Sequence, residues 1–187
     1  MPDSTWKYVD TIQESIEDLD GTRMPSLPIS NSEGEVCDSL AVGPDVMVVS
    51  VYKPGSLSPR QWEDIGSLLA SSEESGYGTL LLVAMPQGGP SPIPDGVSPI
   101  SRLRMEESLY SSDYKTLLSL NRSNGGAVYF SGGYLIRKWS RRKYPDSEEL
   151  LRLYDADPID QMLTESSSGR LRFQAYVLAV LAIVALV

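Results

Sequence analysis

Between an apolar run and an amphipathic stretch the chain reads Gly55-Ser56-Leu57-Ser58-Pro59. A turn from strand into helix is a place where a side chain could react, because free amides at a helix N-terminus can stabilise an oxyanion. Ser58 is the candidate nucleophile there. A serine needs a base, and the 187 residues contain no histidine. That removes the usual general base near neutral pH and the commonest transition-metal ligand. No lysine is tied to Ser58 by sequence. Ser58-Pro59-Arg60-Gln61 fits a capping box with proline at the first helical position, so the hydroxyl already has a structural task.

The only cysteine is Cys37, in Ser32-Glu33-Gly34-Glu35-Val36-Cys37. One cysteine cannot form an intramolecular disulfide, so it does not fix the redox compartment. It reads as a small hydrophobe in a hairpin, with no cationic group or helix terminus beside it to hold a thiolate. The competing use is as a lone reactive thiol in peroxide or thiol-transfer chemistry, which requires access and a depressed pKa. Ser112-Asp113-Tyr114-Lys115 has the Ser-x-x-Lys spacing without the companion motifs of such acyl enzymes. Gly76-Tyr77-Gly78 lacks the later glycine of a dinucleotide fingerprint, and no phosphate-binding G-x-x-x-x-G-K-[ST] occurs. Asp155, Asp157 and Asp160 have the wrong spacing, and no loop glycine, for a calcium loop. The expectation is no catalytic constellation, no metal and no cofactor.

A net charge of −9 disfavours nucleic acid, whose phosphates need a concentrated basic face. The one basic cluster is Arg137, Lys138, Arg141, Arg142 and Lys143, either a solvated strand end or a patch for anionic headgroups or an acidic partner. With 41% apolar and 22% charged residues the chain can bury a core of ordinary size.

The elements that would carry these residues follow from pattern. Trp6, Val9, Ile12, Ile16 and Leu19 share one stripe of an N-terminal helix over 1–21. Its other faces are acidic, so it is expected to pack on the domain rather than enter a membrane. Residues 24–42 read as a short hairpin. Residues 46–52 are a continuous apolar run, as in a strand covered on both faces. Trp62, Ile65, Leu68 and Leu69 give the following helix its buried side, and residues 79–84 form a second covered strand. Strand, helix, strand makes a βαβ unit. Residues 86–99, rich in proline and glycine, are an excursion at one end of the sheet. Residues 105–120 are expected to be one helix. Ser131-Gly132-Gly133 joins 127–130 to 134–136 as a hairpin, and Asp146-Ser147-Glu148-Glu149 caps a last helix.

Residues 1–20 lack the early basic region and apolar run of a signal peptide. At the other end, 159–172 read as a linker and 173–187 as FQAYVLAVLAIVALV, uncharged throughout. As a helix this run reaches roughly 22 Å, short of the roughly 30 Å hydrocarbon core. It is a core-completing segment, a membrane anchor or the first part of a spanning segment, and the absence of any polar stripe favours attachment to a membrane. Arg170 and Arg172 before it favour a cytoplasmic domain.

An early hairpin, then strand, helix, strand, helix, β-hairpin and helix resembles a thioredoxin-like domain over residues 22–158. The fold class is thus α/β: a three-layer α/β/α sandwich with a mixed central sheet, an N-terminal helix and a C-terminal apolar tail. Met24-Pro25-Ser26-Leu27-Pro28 resembles the opening of the TlpA-like branch, which favours an extracytoplasmic domain. Tyr114 to Leu118, Arg122 to Gly126, Ala127 to Ile136 and Arg137-Lys138-Trp139 resemble cysteine-poor thioredoxin-like domains that accompany DoxX-type membrane proteins. Members that exchange thiols carry two cysteines where Ser56 to Pro59 stand here, and a cis-proline at the position of Gly125. The resemblance therefore implies a thioredoxin scaffold without dithiol chemistry. The expected product is a redox-inactive interaction or assembly module, membrane-associated through 173–187, with an unidentified protein partner. Its surface would be Ser56, Leu57, Ser58, Pro59, Asn124 and Gly125, at the sheet end where the loops converge. A single-cysteine enzyme using Cys37 and a purely structural soluble domain are the alternatives.

Overall fold

The apolar run forms strand β1 (Asp45–Val51), every residue of which after Asp45 is buried. It is the middle strand of a five-stranded sheet in the computed structural model, which describes residues 27–86 and 89–156. The N-terminal helix expected over 1–21, the linker 159–172, the tail 173–187, Asp157 and Asp160 lie outside the described residues.

Helix α1 (Pro59–Glu74) leads to strand β2 (Gly78–Val83), parallel to β1. Helix α2 (Pro99–Glu107) leads to strand β3 (Leu109–Ser111), parallel to β2 at the edge. Helix α3 (Tyr114–Leu120) then crosses the sheet. Strand β4 (Gly126–Ser131) pairs antiparallel with β1, and β5 (Tyr134–Trp139) antiparallel with β4. Helix α4 (Ser147–Asp155) closes the described domain. The strand order β3-β2-β1-β4-β5 is mixed, as expected.

Alternation along β1 divides the core in two. Met47, Val49 and Val51 face Trp62, Ile65 and Leu69 of α1, Met105 of α2 and Leu150 of α4. Val46 and Val48 face Leu117 and Leu120 of α3, together with Ile29 and Ala41. Helices on both faces of a mixed sheet make this a thioredoxin-like α/β/α sandwich. Trp62 is fully buried, and its truncation to alanine would cost about 3–5 kcal/mol.

Two expectations are corrected. Residues 105–120 are two helices separated by β3, because Leu109–Ser111 pairs with Leu81–Val83 and Asp113 starts α3 by accepting from the amides of Lys115 and Thr116. Of the hairpin expected over 24–42, the turn at 31–34 and its nearest pairing are present, with Cys37 N–H donating to the Ile29 carbonyl at 2.8 Å and Asn31 N–H to the Glu35 carbonyl at 3.1 Å, but the return strand does not continue. Ser30 makes isolated bridges to Val36 and Ser111, and residues 38–42 coil into a 3-10 turn. The Pro-rich excursion is anchored, since Ile93 and Val97 enter the core and Arg102 Nη2 donates to the Pro94 carbonyl at 2.7 Å. At the far edge, Ile136 is an extra residue opposite the Tyr129–Phe130 step. This bulge and the exposed Lys138 blunt the edge against pairing with another chain.

Candidate functional site

After Val51 the chain leaves the sheet through Tyr52 and Lys53 and tightens into a 3-10 turn over Pro54–Ser56. Ser56 N–H and Oγ both donate to the Lys53 carbonyl, at 3.1 and 2.9 Å. Leu57 turns inward, 8% exposed, and joins the α1-side core. Ser58 completes the capping box that its sequence predicts. Gln61 N–H donates to Ser58 Oγ at 3.4 Å, and Ser58 N–H donates to Gln61 Oε1 at 2.9 Å. Pro59 at the first helical position gives up no hydrogen bond there.

The loop before β4 reaches the same corner. Asn124 Oδ1 accepts from Lys53 N–H, while its Nδ2 donates to the Lys53 carbonyl and to Ser56 Oγ. Gly125 N–H donates to the Ser50 carbonyl at 2.8 Å. Its φ of +79° suits glycine, and a Cβ there would stand 3.1 Å from Arg141 Cδ. Tyr144 OH donates to the Gly125 carbonyl. Burial pushes the Tyr144 phenol well above its ordinary range, with Arg141 opposing the shift and Asp64 adding to it.

The Pro-rich loop arrives from the third side. Gly96 lies against Pro59, where a Cβ would meet the ring at 3.2 Å. Glu63, one turn into α1, accepts from the N–H of Ser98 and from Ser101 Oγ at 2.6 Å. These bonds hold the Glu63 carboxyl below its ordinary range, the Ser101 hydroxyl contributing most. Thus Ser56, Ser58, Pro59, Asn124 and Gly125 do converge at one end of the sheet. Ser56, Ser58 and Pro59 are exposed, Asn124 is half-buried, and Leu57 and Gly125 are buried.

Cys37 is elsewhere. It packs at the edge of the core on the α3 side, the sheet face opposite α1. The half-buried thiol lies 3.5 Å from the Glu35 carbonyl. Ser112 and Lys115 flank the start of α3, where Asp113 uses the Lys115 amide as a cap. Among the described residues no group of three or more His, Cys, Asp or Glu is placed to hold a metal. In the basic cluster, Arg137 pairs with Glu149 at 3.2 Å and lies 5.4 Å from the Trp139 ring centroid. The links through Glu63, Tyr144 and Arg141 had no local signal in the sequence, since each joins segments far apart along the chain.

No family model and no curated protein matches the chain. Solved structures similar to it include copper-bound ScoI of Bradyrhizobium japonicum, at 9% identity and TM-score 0.41, covering 68% of this chain and 94% of that one. Copper-bound yeast Sco1 is similar at 12% identity and TM-score 0.43, covering 73% and 98%. The mitochondrial 2-Cys peroxiredoxin of Plasmodium falciparum is similar at 12% identity and TM-score 0.35, covering 76% and 92%. The fold assignment rests on the strand order and the two-sided helix cover described above. These likenesses lend it no chemistry.

Proposed function

We propose that this thioredoxin-fold domain works by binding rather than by thiol exchange, as a redox-inactive interaction or assembly module. One observation carries the reading: the side chains at the strand-to-helix corner are spent on holding the corner itself. Ser58 is an N-cap, Ser56 Oγ donates to Lys53 and accepts from Asn124, and Leu57 fills the core. The three segments that meet there leave Ser56, Ser58 and Pro59 exposed on a rigid support, which suits recognition of a protein partner. Cys37 sits on the other sheet face, and no observation at its site favours a single-cysteine enzyme.

The uncharged run 173–187 supports attachment to a membrane, with 159–172 as the linker, 22–158 as the domain and 1–21 as a helix packed on it. The net charge of −9 speaks against nucleic acid as partner.

Photo-crosslinking side chains placed in the full chain test the surface. Placed at Ser56 or Pro59, they are expected to capture one discrete partner protein in the native cell. Placed at Glu107, at the far end of α2, the same group is expected to capture none of it. Equal capture from both ends would overturn the assignment.

A further inference from the structure

Arg141 follows β5 and lays its stem across Gly125. Its backbone N–H donates to Ser123 Oγ at 3.0 Å, which fixes the start of the loop. The ion pairs among the described residues use Arg102, Arg104 and Arg137, and neither Arg141 nor Arg142 takes part. Arg141 Nη1 is buried and has no hydrogen-bond partner there. An arginine N–H withdrawn from water and left without an acceptor is uncommon enough to need a reason.

Arg141 borders a groove of roughly 350 Å³ between the middle of α1 and the loop after β5. Ser67 and Ser71, one helical turn apart, line one wall with Asp64 beside them. Arg141, Arg142 and Tyr144 line the other. Two guanidinium groups against one carboxylate leave a single net positive charge. A phosphate dianion would crowd Asp64, whereas one carboxylate matches both the charge and the planar fork of arginine N–H donors.

We propose that this groove binds a single carboxylate, received by the Arg141 guanidinium with Arg142 beside it and the Ser67 and Ser71 hydroxyls along α1. The site stands on its own geometry. That the carboxylate belongs to a protein partner, as an acidic side chain or a chain terminus, rests on the interaction-module reading above.

The test is a titration of the full chain with sodium acetate at constant ionic strength, read at the arginine Nε–H resonances by NMR. Sodium chloride and inorganic phosphate are the controls. Acetate is expected to shift the Arg141 signal saturably. Arg141→Gln, with the rest of the spectrum still folded, is expected to abolish saturation in the Ser67 and Ser71 amide shifts, and Arg141→Lys to weaken it about tenfold by loss of the two-pronged contact. Arg142→Gln, on an exposed side chain, is expected to weaken acetate severalfold without affecting folding. Shifts equal to those from chloride, or phosphate binding tighter than acetate, would overturn the site. A capped, amidated glutamate peptide and an uncharged peptide with a free C-terminus then separate the two sources. Tighter binding of one than of acetate supports a protein carboxylate. If acetate saturates and neither peptide exceeds it, the site stands and the protein-partner reading fails.

Discussion

Asn124 and Lys53 exchange two hydrogen bonds across 71 residues of sequence: Lys53 N–H donates to Asn124 Oδ1 at 3.0 Å, and Asn124 Nδ2 donates to the Lys53 carbonyl at 2.8 Å. A third bond runs from Nδ2 to Ser56 Oγ at 2.9 Å. One side-chain amide thereby stands in for a backbone partner that an irregular corner lacks. Asn124→Ala removes all three bonds at a half-buried position. The expected cost is about 1–3 kcal/mol, read as a lower urea midpoint at unchanged slope. Faster hydrogen exchange at the Lys53 amide should accompany it. An unchanged midpoint with unchanged exchange would contradict the clasp.

Glu63 ties α1 to the start of α2, and its carboxyl is held below its ordinary range by Ser101 Oγ first and Ser98 N–H next. The folded protein therefore prefers the ionised form. This contribution is present above the unfolded value, about pH 4.3, and is lost as the pH falls through the lower folded value. The protection factor of the Ser98 amide, its exchange rate corrected for the fall of the intrinsic rate with pH, is expected to drop on acidification. Glu63→Gln should lower that protection already at pH 7 and remove most of its pH dependence.

Tyr77, Tyr129 and Tyr144 all have phenols raised above their ordinary range, burial being the largest cause in each. Tyr129 OH also donates to Asp45 Oδ1 at 2.5 Å, and the carboxylate further opposes its ionisation. The folded state holds these protons more tightly than the unfolded chain does. Stability is thus full below about pH 10 and falls as the pH rises above it. Melting temperatures measured from pH 8 to 11.5 should drop steeply at the alkaline end. Tyr129→Phe should make that drop shallower; an unaltered profile would contradict the assignment.

The parts legible in the sequence were those with local causes. The strand at 46–52, the Ser58 capping box, the Gly132-Gly133 hairpin and the Asp146 cap each depend on a handful of adjacent residues, and each is present. The three-residue strand Leu109–Ser111 was hidden because its pairing with β2 is tertiary, and a short apolar run reads equally as helix. Asp113 did carry a signal, as a good N-cap residue ahead of Tyr114. At the site, convergence followed from the order of elements. The Asn124 clasp, the Glu63 tie and the unpaired Arg141 did not, because hydrogen bonds between distant loops leave no periodicity to detect.

The tail 173–187 is proposed to hold the domain at a membrane. Deleting it from the full chain should abolish co-flotation with phospholipid vesicles and leave the melting temperature within about 2 °C, because a change well under 1 kcal/mol is expected from an undocked segment. A large fall in melting temperature would show that the tail completes the core.

The absence of dithiol chemistry is the centre of the account, and a turbidity assay of insulin reduction by dithiothreitol measures it most directly. The full chain and Cys37→Ser are both expected to leave the rate at that of dithiothreitol alone. Acceleration by the full chain that Cys37→Ser abolishes would restore the single-cysteine enzyme, and acceleration that survives Cys37→Ser would contradict the account outright.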